Sequence, residues 1–159
     1  MAIYNKDIEI LKHIIGYCDR IQRAKERFGN SYESFQADYE YQSACAMYIL
    51  QIGEKATRLS ENLKTGHSNI PWRDIIGMRN IFAHDYERVD NKMIWETLSN
   101  DIISLRTRCT DIVVAIEPDY NPEDNDDELL VDDDVDEDEP LVDDDDDDDE
   151  IELQKEAEE

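Results

Sequence analysis

The chain has 159 residues and a formal net charge of −26, and the acidic excess lies at its C-terminal end. Residues 1 to 117 hold 15 Lys/Arg and 17 Asp/Glu, whereas residues 118 to 159 hold one Lys and 25 Asp/Glu. The first part is long enough for one domain with a modest core, and the second is too charged and too poor in apolar residues to fold. We therefore expect a folded domain over residues 1–117 and a disordered acidic tail over residues 118–159.

The sequence also excludes several classes of protein. The longest apolar runs, such as Ile112 to Ile116, are far below the roughly 20 residues that a membrane-spanning helix needs. Residues 1–10 include Asp7 and Glu9 and lack the basic and apolar regions of a secretory signal, so we expect a cytoplasmic protein without membrane contact. The cysteines are widely spaced and form no C-x-x-C pair, which indicates reduced core residues rather than disulfides or a zinc site.

Helical periodicity dominates the first part of the chain, where apolar residues recur every three or four positions. The predicted helices cover, in chain order, about residues 5–27, 31–63, 71–84 and 90–117. Ser31 is a candidate cap of the second helix, Pro71 suits the first position of the third, and Pro118 ends the fourth. Small residues of the second helix, such as Gly53 and Ala56, would permit close helix approach. Because strand alternation and internal repeats are missing, the sequence predicts an all-α antiparallel bundle of four to five helices.

The third predicted helix carries a charged residue in its apolar stripe. On a helical wheel, the residues within roughly 60° of Arg79 are Trp72, Ile75, Ile76, Phe82, Ala83 and, if the helix continues, Tyr86. A guanidinium in such a stripe is costly unless it meets a carboxylate, a phosphate or a subunit partner. Arg79 is therefore either a structural residue paired with an acid such as Glu54, or a residue that binds a phosphate.

Two polar residues follow Arg79 on the same helix. Asn80 and His84 share a face about 40° wide, and His84 is displaced by about 140° from Arg79. A single His beside an apolar face is more often a hydrogen-bonded structural residue than a catalyst. The Arg-x4-His spacing alone is a weak pattern, so both interpretations of His84 stay open on spacing.

Residues 70 to 90, IPWRDIIGMRNIFAHDYERVD, resemble the signature of HepT-like toxins of the HEPN superfamily. That signature is R-x4-H-x-Y with a polar residue directly after the Arg, and Arg79, Asn80, His84 and Tyr86 fill its four places. Further matches are IGE at Ile52 to Glu54, RLSE at Arg58 to Glu61, the Pro71-Trp72 pair and Trp95. The resemblance covers about residues 4 to 116, the whole predicted domain.

The resemblance implies a helical bundle that forms a homodimer, brings two copies of the motif into one cleft and cleaves RNA without a metal or another cofactor. One His84 would accept the ribose 2′-hydroxyl proton while the partner protomer's copy protonates the leaving 5′-oxygen. Arg79, with Glu54 as a supporting residue, would stabilise charge on the phosphorane, and Asn80 would orient the phosphate or His84. The apolar stripe that contains Arg79 would then be the dimer seam.

The resemblance also implies a protein partner, an MNT-type nucleotidyltransferase antitoxin that attaches AMP to Tyr86 and so completes a type II toxin–antitoxin pair. The added phosphate would compete for Arg79 and repel RNA. Alternatively, Tyr86 packs its ring on the seam and hydrogen-bonds its hydroxyl. The alternative for the whole protein is a non-catalytic dimeric binding subunit of a nucleotidyltransferase complex, in which Arg79 and His84 contact a ligand.

Two charged features remain open in the sequence. Arg20, Arg23 and Arg27 lie on one face of the first helix, where they either contact RNA phosphates or simply stabilise the C-terminal end of the helix dipole. The acidic tail departs from the family pattern, and it is either a solubilising extension or a screen over the Arg79 cleft or a basic rim. A screening tail would be displaced by RNA or by the partner.

Overall fold

The computed structural model describes residues 2–84 and 88–125, and the side chains of residues 5–83 and 88–125. The α-helices are α1 (Ala2–Phe28), α2 (Tyr32–Ala37), α3 (Tyr39–Thr57), α4 (Glu61–Gly66), α5 (Trp72–His84), α6 (Asn91–Glu96) and α7 (Ile102–Ile116). A π-helical turn, Thr97–Asp101, joins α6 to α7, and a 3-10 turn, Pro122–Asp124, follows α7. No strand occurs over the described ranges, and the predicted all-α class is confirmed.

Helix α3 lies at the centre of the bundle, because it packs against α1 on one side and against α5 on the other, while α1 also packs against α7. The largest fully buried side chains include Leu11, Ile14, Ile21, Phe35, Tyr41, Ile49, Ile52, Leu98 and Val113. The Tyr41 ring stacks on Phe28 with centroids 5.2 Å apart and meets the edge of Phe35 at 5.1 Å. One continuous core therefore supports both flanks of α3.

The second predicted helix, over residues 31–63, is wrong as a single element. It ends first at Asp38, whose side chain accepts a hydrogen bond from the Tyr41 backbone N–H at 3.0 Å and so caps α3. The Gln42 side-chain amide donates to the backbone carbonyls of Phe35 and Gln36, at 2.9 and 3.0 Å. These bonds satisfy groups that the break would otherwise leave without partners in the interior.

The same predicted helix is interrupted a second time, between the end of α3 at Thr57 and the start of α4 at Glu61. The Ser60 hydroxyl accepts a hydrogen bond from the Leu63 backbone N–H at 3.2 Å, which caps α4. The carboxylate of Asp7, which is only 3% exposed, accepts from the Ser60 backbone N–H at 2.9 Å and from its hydroxyl at 2.6 Å. A buried carboxylate that is satisfied in this way ties the start of α1 to the junction of α3 and α4.

The fourth predicted helix, over residues 90–117, runs as predicted except for its π-helical turn. Ile94, Leu98 and Ile102 are buried, and they are spaced four residues apart. In a regular α-helix each such step rotates the side chain by about 40° away from the core. The π-helical turn has more residues per turn than an α-helix. It therefore offsets this rotation and keeps all three side chains on the buried side.

The described chain continues past the predicted end of the domain. The Glu117 carboxylate pairs with Lys12 Nζ at 2.9 Å, and Lys12 Nζ also lies 5.6 Å from the centre of the Tyr120 ring. The side-chain amide of Asn125 donates to the Tyr120 hydroxyl at 2.8 Å. The segment after Glu117 therefore contacts α1 through Tyr120 and the 3-10 turn, and the boundary between domain and tail at residues 117 and 118 stays a prediction. The remainder of the predicted tail, residues 126–159, lies outside the described residues.

The three cysteines, Cys18, Cys45 and Cys109, are buried and free, as the sequence predicted. Burial raises the pKa of Cys45 and Cys109 to about 12 and that of Cys18 well above its usual value. Within ranges 2–84 and 88–125, no group of three His, Cys, Asp or Glu side chains could hold a metal ion. None of the helices in that part of the chain is long and apolar enough to cross a membrane.

Candidate active site

Arg79 lies where α5 approaches α3 closely, and Gly53 of α3 permits that approach. A Cβ atom built on Gly53 would lie 2.8 Å from the Arg79 Cβ and 3.2 Å from the Ile75 carbonyl oxygen. Real Cβ atoms essentially never make a contact as short as 2.8 Å, so any larger residue at Gly53 would push α5 away. Gly53 therefore fixes the position of Arg79 against α3.

The next residue of α3 holds the Arg79 side chain. Arg79 Nε donates to Oε1 of Glu54, so the pairing that the sequence analysis weighed for Arg79 is confirmed. The Arg79 and Glu54 side chains are 41% and 38% exposed, and an ion pair so exposed stabilises a fold by about 1 kcal/mol or less. Because the bond involves Nε, at the base of the guanidinium, its main effect is to orient the group.

Most of the apolar stripe around Arg79 is buried or partly buried within the core of one protomer. Trp72 and Ile75 are each 5% exposed, and the Trp72 indole N–H donates to the His67 backbone carbonyl at 3.2 Å. Ile76 and Phe82 are partly buried against the same core. Trp72 and Ile75 therefore already have partners within one protomer, and the expectation that the stripe forms a dimer seam stays a prediction for its remaining residues.

The remaining predicted site residues lie further along α5. Asn80 is exposed and follows Arg79 directly. His84 is the last residue of α5, and its side chain lies outside the described residues, as does Tyr86 entirely. The structure thus brings Arg79 and Glu54 together, with Asn80 next to Arg79 along α5. The roles of Arg79, Asn80, His84 and Tyr86 stay predictions.

Two exposed apolar side chains near this site were missed by the sequence analysis. Met47 of α3 is 53% exposed, and it lies seven residues before Glu54, on the same helix face. Ile81 of α5 is 45% exposed and follows Asn80. Their only sequence signal was an apolar residue on the polar side of an amphipathic helix, which is common on ordinary surfaces.

The three arginines of α1 form a second basic feature, on the opposite flank of α3. Arg20, Arg23 and Arg27 line a cavity of about 320 Å³. Its other lining residues are Ala24 and Phe28 of α1 and Ala44 and Tyr48 of α3. Among the described residues that line this cavity, which we call the arginine cleft, none is acidic. The prediction that the three arginines share one helix face is confirmed.

The sequence matches known proteins over most of the described domain. The model of the family described as "Ribonuclease HepT-like" matches residues 14–112. A protein named "Putative RNase" in Caldanaerobacter subterraneus subsp. tengcongensis is 34% identical over 104 residues, which cover 65% of this chain and 90% of the relative. "Probable ribonuclease HepT" of Thermococcus cleftensis is 35% identical over 75 residues, 47% of this chain and 68% of the relative.

More distant relatives carry the same kind of name. A further "Putative RNase", from Methanocaldococcus jannaschii, is 26% identical over 113 residues, which cover 70% of this chain and 92% of that protein. No solved structure matches the chain significantly. The family match covers α3 and α5, which hold the Glu54–Arg79 pair, and it includes the R-x4-H-x-Y signature. The chain therefore belongs to the Ribonuclease HepT-like family of the HEPN superfamily, and it is a ribonuclease.

Proposed function

We propose that this ribonuclease is a metal-independent RNA endonuclease that acts as a homodimer and is the toxin of a type II toxin–antitoxin pair. The observation that carries the proposal is the setting of Arg79. This guanidinium is fixed against α3 by Gly53 and Glu54, yet it stays partly exposed, on the helix that also carries Asn80 and His84. Such an oriented, accessible guanidinium suits a phosphate group.

The proposed reaction is an internal transesterification. The ribose 2′-oxygen bonds to phosphorus, the bond from phosphorus to the 5′-oxygen breaks, and the products carry a 2′,3′-cyclic phosphate and a 5′-hydroxyl. His84 of one protomer accepts the 2′-hydroxyl proton, and the same residue of the partner protomer donates a proton to the leaving oxygen. Arg79 stabilises the additional negative charge on the phosphorane, and Asn80 orients the phosphate.

The proposed dimer follows from the position of the two key residues on α5. Arg79 and His84 are displaced by about 140° around the helix axis, so one protomer does not readily direct both side chains at one phosphate. A second copy that faces the first can supply the missing group. The exposed Met47 and Ile81, on the two helices that hold Arg79, are apolar side chains that such an interface would cover.

The proposed partner is an MNT-type nucleotidyltransferase antitoxin that modifies Tyr86. In that reaction the Tyr86 hydroxyl attacks the α-phosphorus of ATP, pyrophosphate leaves, and AMP stays bound to the tyrosine oxygen. The added phosphate places negative charge two residues from His84 and within the same motif as Arg79. We expect it to compete with RNA for the guanidinium and to repel the RNA backbone.

One observation favours the alternative function, a non-catalytic binding subunit of a nucleotidyltransferase complex. Arg79 already has a carboxylate partner, Glu54, within its own chain. An arginine with such a partner is typical of a structural role, and the ion pair lowers the net positive charge that a phosphate would meet. The two functions are separated by whether the purified protein cleaves RNA.

The experiment that tests the proposed function incubates the wild type and a His84→Ala variant with RNA in the presence of a metal chelator. His67→Ala is the matched control, since it removes an imidazole directly after α4, outside the R-x4-H-x-Y motif. We expect cleavage by the wild type and the control, ends with a 2′,3′-cyclic phosphate, and a loss of about 100-fold or more in the His84 variant at unchanged thermal stability. An inert wild type would instead support the binding subunit.

The partner is tested by incubating the protein with an MNT-type nucleotidyltransferase and ATP. Mass spectrometry should find one AMP on Tyr86 and none on the Tyr86→Phe variant. Tyr39→Phe is the control, because Tyr39 is 71% exposed and lies outside the motif. Modification of the Tyr86→Phe variant to the same extent as the wild type would overturn this part of the proposal.

A further inference from the structure

The last described residues of the chain lie along one face of α1. Glu117 pairs with Lys12, and the Tyr120 ring lies beneath the Lys12 ammonium. Burial raises the pKa of the Tyr120 hydroxyl, while the hydrogen bond from Asn125 lowers it. Asp19 accepts a hydrogen bond at 2.5 Å from Arg106. The segment after α7 thus packs against α1 at Lys12 and through its 3-10 turn.

The arginine cleft continues the same face of α1 toward its C-terminal end. On the helix, Lys12, Asp19 and Arg23 lie within about 40° of one another, and Arg20 and Arg27 lie within about 80° of Lys12. With a rise of about 1.5 Å per residue, the arginines begin about 12 Å beyond Lys12. The described chain therefore ends beside the face that leads into the cleft.

The cleft is suited to an acidic peptide. Its three guanidinium groups come from successive turns of one helix, so they are spaced along a line rather than gathered at a point. Tyr48 and Phe28, both partly buried, provide apolar surface in the wall of the cleft beside the guanidinium groups. Two carboxylates of α1 lie along this face: Asp19 accepts a hydrogen bond from Arg106, and Glu26 accepts one from Gln22 at 3.3 Å.

The chain itself supplies an acidic segment directly after the last described residue. Residues 126–159 contain 22 Asp/Glu and one Lys, and Asp126, Asp127 and Glu128 follow Asn125 without a gap. An extended chain spans about 3.3 Å per residue, so four to seven residues cover the length of α1 from Lys12 to the arginines. Because the segment is tethered, its effective concentration at the cleft is on the order of millimolar, which compensates for weak individual ion pairs.

We propose that the acidic segment 126–159 docks in cis into the arginine cleft formed by Arg20, Arg23 and Arg27 of α1 with Tyr48 of α3. The proposal rests on where the described chain ends and on charge complementarity, and it does not depend on the nuclease assignment. The docked segment would occupy this basic concavity and would be displaced by salt or by a competing polyanion.

The test places a nitroxide spin label in the acidic segment of the full-length protein and measures its effect on backbone amide signals by NMR. Val135→Cys provides the label site between two acidic clusters. The three native thiols are buried and, with their raised pKa, do not compete for the label at neutral pH. We expect strong attenuation of the amides of residues 20–28 and Tyr48, and none in α4 or at the start of α5.

Two triple variants of the labelled protein decide whether the arginines cause the contact. Removing the cleft charges by Arg20→Gln, Arg23→Gln and Arg27→Gln should reduce the attenuation to the level of α4, as should about 1 M salt. Removing three charges elsewhere by Lys64→Gln, Arg73→Gln and Lys92→Gln should leave the attenuation unchanged. Thermal unfolding of both variants verifies that each is folded.

Addition of a short oligouridine separates the docked tail from a cleft that binds RNA. If the tail is docked, RNA that enters the cleft shifts the same amides and removes their attenuation, while RNA that binds elsewhere leaves it in place. Equal attenuation over the whole surface, or attenuation that survives the cleft variant, would overturn the proposal. Amides of the cleft that respond to RNA but never to the label would assign the cleft to RNA instead.

Discussion

The helices on either side of α3 carry arginines in different surroundings. On the α5 side, one guanidinium, that of Arg79, is positioned by the contact at Gly53 and oriented by Glu54. On the α1 side, three guanidinium groups line an open cleft without an acidic lining residue in the described domain. The first setting fixes one group in one orientation, and the second provides charge density over a length of helix.

This difference separates two uses of the same residue type. Stabilising charge on one phosphate requires a preorganised group, because reorientation during the reaction would cost much of the benefit. Attracting a flexible polyanion requires only several like charges in reach, and the attraction falls steeply with salt. We therefore expect variants of the Arg79 site to change the reaction rate, and variants of the arginine cleft to change its dependence on salt and on the tail.

The largest expected effect is on catalysis. Arg79→Ala should lower the RNA cleavage rate by about 100- to 1000-fold, because one preorganised donor to the reacting phosphate is lost. Arg23→Ala removes the same charge from the other flank of α3 and should change the rate by less than about threefold in moderate salt. Rates are measured under single-turnover conditions on the same RNA. Similar losses in both variants would contradict the division of roles.

A smaller effect is expected at the glycine beneath Arg79. Gly53→Ala should destabilise the fold by about 1–3 kcal/mol and lower the cleavage rate, since the new Cβ displaces α5. Gly77→Ala on α5 is the matched control, because a Cβ there meets nothing within 4 Å and a helical Ala is favoured over Gly by about 1 kcal/mol. Urea unfolding measures both. A neutral Gly53→Ala would show that α5 is not held by this contact.

The core shared by both flanks predicts a loss of stability at alkaline pH. Cys45 and Cys109 have a folded-state pKa near 12, above the value of about 8.5 in an unfolded chain. Their contribution is therefore fully present below about pH 8.5, and it is lost as pH rises toward 12, by about 1.4 kcal/mol per pH unit for each thiol. Cys45→Ala should remove the contribution of one thiol, about 1.4 kcal/mol per pH unit, from the slope of the unfolding free energy against pH. An unchanged slope would contradict the burial of Cys45.

The smallest expected effect comes from the acidic segment. Deleting residues 126–159 should raise the cleavage rate at low salt by a few-fold, because a tethered polyanion no longer competes with RNA for the arginine cleft. The deletion begins after Asn125 because the preceding segment packs on α1. The same deletion in the Arg20→Gln, Arg23→Gln, Arg27→Gln background should have no effect. A gain that persists in that background would place the inhibition elsewhere.

The sequence predicted the helical class because apolar periodicity is strong along all the long helices. It missed the breaks at Asp38 and Ser60, although both residues are good helix caps. The reason is that a cap is used only where tertiary partners stabilise the break. Gln42 and Asp7 provide those partners, and neither contact is visible from local sequence.

The candidate site was predicted in part. The wheel placed Arg79 in an apolar stripe, which required a partner, and Glu54 is that partner. The wheel did not indicate that Trp72 and Ile75 are buried in the core of the same protomer, because burial depends on which helices lie nearby. It also grouped the three α1 arginines but could not show that α3 turns their face into a cleft.

The central claim is that Arg79 and His84 act on one phosphodiester from opposite protomers. It is tested most directly by mixing the inactive Arg79→Ala and His84→Ala proteins under conditions in which subunits exchange. The heterodimer contains one intact Arg79 and one intact His84 on different chains but lacks the second His84, so the mixture should regain part of the wild-type activity and cleave RNA faster than either parent alone. A mixture that forms heterodimers and stays as inactive as its parents would contradict the claim.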